Sequence, residues 1–180
     1  MMLVDGVPRW KILEDRLCET TFFTDPASTK HHGAYEGGLA KHSHNMMVNL
    51  NELTRLLGLT WSDEDSPRII ALCHDICKIG AYLPNDEGGY YWNPCHPKGH
   101  GDLSVEIAKK WIPLTEEEEY CIKWHMGPYT PELTESPDLA KRIQECWKEY
   151  EKAIERWPNV LWAYTADNMA ARFDDRRYNL

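Results

Sequence analysis

Apolar positions recur along most of the chain at the three- and four-residue spacing of helices laid on a shared core. From Trp10 to Phe23, the residues Trp10, Leu13, Leu17 and Phe22 form a stripe among charges, which predicts a helix over 10–23. Leu39, Met46, Leu50, Leu53 and Leu57 predict a second helix over 39–57, with His42 on its inner side and Gly58 to stop it. The run Ile69, Ile70, Leu72, Cys73, Ile76 and Cys77 is apolar over much of its surface, so the helix over 67–77 should be central and buried. Further helices are expected over 100–111, over 115–124 with Thr115 and Glu118 as a capping box, over 138–156 and over 159–173. The inner stripe of 138–156 reads Leu139, Ile143, Cys146, Tyr150 and Ile154, and Trp157-Pro158 marks the boundary that follows. Gly127-Pro128-Tyr129-Thr130-Pro131 breaks the helical pattern.

Between Gly80 and Gly99 the periodicity lapses into Gly, Pro, Asn and aromatics, and Tyr90-Tyr91-Trp92 suggests one strand of a small β-hairpin. The expected fold is therefore all-α, a compact helical bundle with a candidate hairpin in the 80–99 loop. Residues 1–21 read as a helical extension packed on a domain spanning 22–180. Nothing in the pattern suggests a repeat or a second core.

The 180 residues suffice to bury one sizeable core. No apolar stretch is long enough to cross a bilayer, and Met1 to Pro8 has no signal-like character, so a cytoplasmic location is expected. Six cysteines are spread widely and read as reduced, with Cys18, Cys121 and Cys146 as small space-filling hydrophobes. Twenty Lys and Arg against 29 Asp and Glu leave a net charge of −9. That balance disfavours long double-stranded nucleic acid, which rewards an extended basic surface. Eight Trp and nine Tyr leave room for a homo-oligomer patch or for a more aromatic core.

The chemistry is concentrated in Cys73-His74-Asp75-Ile76-Cys77-Lys78, where an apolar run ends in an adjacent imidazole and carboxylate. Histidine offers a neutral nitrogen and aspartate an anionic oxygen that can bridge two cations. With His42 and Asp167, this pair can hold one metal; His100 and His125 can complete a second position that shares Asp75. Mixed nitrogen and oxygen ligation suits Mn, Fe, Co or Mg better than a closed cysteine-rich zinc site. The competing reading treats each histidine as an ordinary surface or packing residue.

His42, His74-Asp75 and Asp167 resemble the ordered H…HD…D signature of HD-domain phosphohydrolases, a largely helical metal-dependent family. Phe23, Pro26-Ala27, His31-His32, Tyr35 and Gly37-Gly38-Leu39, leading to His42-Ser43, look like a segment of the HD domain in bacterial 3′-to-5′ exoribonucleases. His74 to Ile79 is similar to the HD-I-G-K-I form with Cys77 in place of glycine, which implies a backbone that stays helical there. His100 and His125 look like the extra histidines of the binuclear subset. Lys123-Trp124-His125-Met126-Gly127 is similar to the H-H-G segment, and Ala166-Asp167 to the terminal A-D motif. The resemblance covers about residues 22–173. It implies two divalent ions, attack of metal-activated water on a phosphoester, and catalytic roles for Asp75 and Lys78.

Candidate substrate contacts are weaker. Lys78 reads as a phosphate contact or as a lysine favouring a helix end. His32 reads as a phosphate contact, an orienting donor or an anchor of its loop. Tyr82 with Tyr90-Tyr91-Trp92 can form a base-stacking wall or simply pack the loop; Lys98 and Arg172 are the nearest basic candidates. His31 and His44 are expected to face away, Cys95-His96 lacks the partners of a zinc motif, and Glu116 to Glu119 reads as a solvated helix start. The expected function is hydrolysis of a nucleotide or other small phosphoester. The alternatives are a 3′-to-5′ exonuclease on short single strands, a nucleotide-binding regulatory module and a structural interaction module.

Overall fold

The computed structural model describes residues 1–128 and 138–175, and seven α-helices account for most of them. They are α1 (Arg9–Cys18), α2 (Gly38–Leu57), α3 (Ser66–Cys73), α4 (Gly101–Trp111), α5 (Glu116–Lys123), α6 (Leu139–Arg156) and α7 (Asn159–Met169). Two antiparallel hairpins complete the fold: β1 (Leu3–Val4) with β2 (Val7–Pro8), and β3 (Tyr82–Pro84) with β4 (Tyr90–Trp92). The mostly-α expectation holds. No helix among the described residues is long and apolar enough to cross a membrane.

The central position of α3 follows from its composition. Ile69, Ile70, Ala71 and Cys73 are fully buried, and α3 touches α1, α2, α4 and α5. Helix α2 lies across α3 and α7, while α5 packs on α3, α4 and α7. Leu13, Leu39, Met46, Leu50, Ile122, Val160 and Ala163 close the core between them. Gly58 ends α2 in the left-handed region at φ 65°, and Thr115 and Glu118 form the anticipated capping box on α5.

Four expectations need correction. Helix α1 stops at Cys18, because Thr20 Oγ donates to the Leu17 carbonyl at 2.7 Å and begins a loop that seats Phe22 separately. Cys18 is therefore exposed at a helix end instead of filling the core; Cys121 is buried, and Cys146 is half-buried. Helix α3 ends at Cys73, and Ile76–Lys78 forms a 3₁₀ turn in place of a continuing α-helix. On α6 only the second half is covered: Tyr150 and Ala153 are buried, but Leu139, Ile143 and Trp147 are 37%, 38% and 50% exposed. At 1.5 Å per residue α6 is about 27 Å long and its neighbour α7 only about 16 Å, so α7 cannot cover the whole stripe. Part of the expected break at 127–131 lies outside the described residues.

The β1–β2 hairpin is an element that the hydrophobic pattern does not predict. Asp5-Gly6 supplies two positive-φ residues, 50° and 79°, which is the demand of a tight two-residue turn.

A buried ion pair joins the N-terminal helix to the core. Arg9 donates to both carboxylate oxygens of Glu118 at 2.6 Å, and Ser66 Oγ adds a third bond to Glu118 at 2.7 Å. Both partners of the pair are fully buried. Removing Glu118 leaves the buried Arg9 charge with only Asp63 at 3.5 Å and the Pro113 carbonyl at 3.1 Å, so Glu118→Ala is expected to lower unfolding free energy by about 3 kcal/mol, read by urea denaturation.

Candidate metal centre

Consecutive residues of an α-helix diverge by about 100°, so His74 and Asp75 can converge only where the helix stops. That is what happens after Cys73. His74 keeps helical angles, Asp75 moves to φ −111° and ψ 15°, and the Lys78 amide then closes the 3₁₀ turn on the Asp75 carbonyl at 2.8 Å. The result puts His74 Nε2 3.4 Å from Asp75 Oδ2.

Two donor groups share Asp75. On one side, Oδ2 lies 3.6 Å from His42 Nε2, and Asp167 Oδ1 lies 2.9 Å from His42 Nε2 and 3.8 Å from His74 Nε2. On the other, Oδ1 lies 3.3 Å from His100 Nε2 and 3.5 Å from His125 Nε2. Metal–ligand bonds of about 2.0–2.2 Å place neighbouring donors roughly 3–3.6 Å apart, which is the spacing found. Among the described residues, His42 Nε2, His74 Nε2 and Asp75 Oδ1 are buried without a hydrogen-bond partner. The short approach of His42 Nε2 to Asp167 lacks the alignment of a hydrogen bond. Buried polar atoms normally have partners; a divalent cation would serve these. The donor set of imidazole and carboxylate fits one, and the cluster can hold metal.

The outer nitrogens explain why the inner ones converge. His74 Nδ1 donates to the Ala71 carbonyl at 2.8 Å, and His125 Nδ1 to the Ile122 carbonyl at 2.7 Å. His42 Nδ1 donates to Asp175 Oδ2 at 2.8 Å. Such partners fix the tautomer and leave the Nε2 lone pair facing inward. His100 differs: its Nδ1 meets Cys77 Sγ at 3.3 Å, and its Nε2 lies 3.1 Å from His125 Nε2.

Comparison with protein-family models gives no match, and comparisons with curated proteins and with solved structures give none either.

The local electrostatics favour unprotonated donors at Asp75, Asp167, His74 and His100, and a protonated ring at His42. Burial opposes ionisation of Asp75, yet Lys78 and the surrounding imidazoles outweigh it and hold the carboxyl well below its ordinary range. Asp167 is likewise depressed, mainly by His42 acting against burial. Burial lowers His74 and takes His100 down to about 3. It opposes charge on His42 too, but Asp167 and Asp175 prevail and raise that imidazole to about 9. Burial pushes the Cys77 thiol up to about 12.

Around the centre, Lys78 Nζ donates to Asp75 Oδ2 at 2.7 Å and its side chain is 13% exposed, so it stands at the rim rather than in bulk solvent. Burial opposes its charge, but Asp75 raises its pKa. His32 is half-buried, with its ring 4.7 Å from that of His42, and burial lowers its pKa to about 4. Its loop is held by Ser28 Oγ on the His32 carbonyl at 2.8 Å and by close packing of Gly33 against Gly38. Tyr82 is half-buried near the Lys78 charge and meets Trp92 edge to face at 5.7 Å; Trp92 in turn meets His96 at 5.4 Å.

Lys98 remains exposed beside a groove that His100, Lys123, Trp124 and Arg142 also line. Arg172 is exposed on the π-helical turn that follows α7, where its Nε donates to Asn168 at 3.1 Å, so it is not drawn into the cluster. His31 and His44 are exposed, and His96 spends Nε2 on the Ile79 carbonyl at 3.0 Å.

Asp175 and Asn45 were not anticipated. Asn45 Nδ2 donates to Asp175 Oδ1 at 2.7 Å, and Asn49 Nδ2 to Asp174 Oδ2 at 2.8 Å. The available signal was the polar series His42, Asn45 and Asn49 at helical spacing on an otherwise inward face, with Asp174-Asp175 as its unassigned complement. Asp175→Asn is expected to keep the fold and weaken cation uptake by about 10–100-fold, measured by isothermal titration calorimetry. Gly101 lies so close to α5 that an added Cβ would sit 2.0 Å from the Lys123 carbonyl. Gly101→Ala should therefore separate His100 from His125 and lower both melting temperature and cation stoichiometry, measured by thermal unfolding and metal analysis.

Proposed function

We propose that this chain is a metal-dependent phosphohydrolase of the HD-domain type, acting on a phosphoester in a nucleotide-like small substrate. The observation that carries the reading is Asp75. One buried carboxylate turns its two oxygens to two separate sets of histidine nitrogens, with a lysine ammonium 2.7 Å from Oδ2. A structural ion-binding site has no need of a cationic side chain at its rim; a phosphoryl group does.

His42, His74, Asp75 and Asp167 would hold one divalent ion, and Asp75, His100 and His125 a second, with Mn, Fe, Co or Mg suited to the mixed donors. When bound, such ions polarise phosphoryl oxygens and make water acidic enough to attack phosphorus near neutral pH. Lys78 contributes a positive charge directed at the anion and strengthens its hold as charge develops in the transition state. His32, kept neutral by burial, offers a hydrogen bond to a substrate oxygen beside His42. Tyr82 and the partly exposed ring of Trp92 supply a wall on which a base can stack. The net charge of −9 favours a small substrate over a long polyanion.

Purified protein supplied with Mn²⁺, Co²⁺ or Fe²⁺ is expected to release phosphate, or a nucleoside product, from members of a nucleotide and phosphoester panel. End-labelled oligonucleotides in the same panel separate this activity from stepwise exonuclease action. Asp75→Asn should remain folded by circular dichroism and lose turnover. Lys78→Ala should retain bound metal and lose about 10²–10³ in kcat. Absence of turnover across the panel with every metal would overturn the assignment.

A further inference from the structure

The four imidazoles of the centre are not held alike. His74 and His125 rest on main-chain carbonyls and His42 on a carboxylate, acceptors that can only receive a proton. The His74 and His125 rings are therefore assigned a proton on Nδ1 and a lone pair on Nε2. His100 rests on Cys77 Sγ at 3.3 Å, and a thiol can donate or accept.

The contact between His100 Nε2 and His125 Nε2, at 3.1 Å, then decides which role the thiol takes. His125 has its proton on the other nitrogen, so His100 must donate, with its own proton on Nε2. That leaves a lone pair on His100 Nδ1, which receives the S–H of Cys77. A ring in this state satisfies His125 and cannot ligate through Nε2. Ligation requires the Nε2 proton to pass to solvent and one from solvent to arrive on Nδ1, so that the ring ends neutral and the thiol keeps its own proton. The Cys77 sulfur must then accept the hydrogen bond that it previously gave.

We propose that Cys77 is a positioning residue that lets His100 alternate between hydrogen-bond donor to His125 and nitrogen ligand for a second cation. A carbonyl at this place would lock one tautomer; the thiol serves both. The two donor groups thereby become unequal. His42 Nε2 and His74 Nε2 have no hydrogen-bond partner among the described residues, whereas His100 and His125 satisfy each other until the proton on His100 Nε2 leaves. The second cation is the weaker and more readily exchanged one. This inference rests on the reading of the centre as a two-cation site.

The test combines histidine ¹⁵N spectra with calorimetric titration of the intact chain. In cation-free protein, the His100 ring should show the Nε2-protonated pattern, moving to Nδ1-protonated on addition of Zn²⁺. Titration with Mn²⁺ should resolve a tight and a weak site. Cys77→Ala should weaken only the weak one, by about 10–100-fold, and Cys77→Ser should restore it. Wild-type protein that binds two ions, with Cys77→Ala binding them equally well, would overturn the role of Cys77 alone. An Nδ1-protonated His100 before any cation is added would do the same, and this measurement stands even if Cys77→Ala does not fold. Wild-type protein that binds no Mn²⁺ would overturn the two-cation reading itself.

Discussion

A carboxylate with almost no exposure sits at the meeting point of this bundle, and an ionised group so placed costs several kcal/mol unless its surroundings compensate. For Asp75 the compensation comes from Lys78, from the adjacent His74 and from imidazoles on three other parts of the chain. Much of the local architecture serves that requirement. Helix α3 ends early so that His74 and Asp75 can point together. Helix α2 presents His42 from one side, and the starts and ends of α4 and α5 bring His100 and His125 from the other. Helix α7 brings Asp167, and the turn beyond it brings Asp175. The buried charge and the convergence of the helices are thus one constraint seen from two sides.

The same constraint explains the glycine contacts. Gly38 and Gly101 begin α2 and α4, and each lies where a Cβ would fall 2.0 Å from a carbonyl oxygen of another segment. Those approaches set how near His42 can come to the His32 loop and how near His100 can come to His125. Small residues here control distances between functional side chains that they do not touch.

Helix positions were readable because the core is built from regularly spaced apolar residues, and the centre's ligand candidates were readable because His and Asp interrupt those stripes at inward positions. The break after Cys73 was not readable, since Ile76 and Cys77 continue the apolar pattern and are indeed buried; periodicity reports burial and is blind to a change from α to 3₁₀ geometry. Asp175 escaped for the opposite reason. It stands in an acidic and basic run, Asp174-Asp175-Arg176-Arg177, that by composition looks solvated, and only the tertiary arrangement supplies Asn45 and His42 as partners. The half-covered stripe of α6 shows a further limit: apolar spacing marks the face that can be buried, while the length of the neighbour decides how much of it is.

The supports of the imidazoles also differ in reach along the chain. Those of His74 and His125 lie three residues away, so these rings acquire their orientation as soon as their own helical turns form. The support of His42 lies 133 residues away, and contacts of such separation form late, after much loop entropy has been lost. An ion captured early would meet an incomplete cage, and docking of the Asp174-Asp175 turn on α2 is the event that closes it.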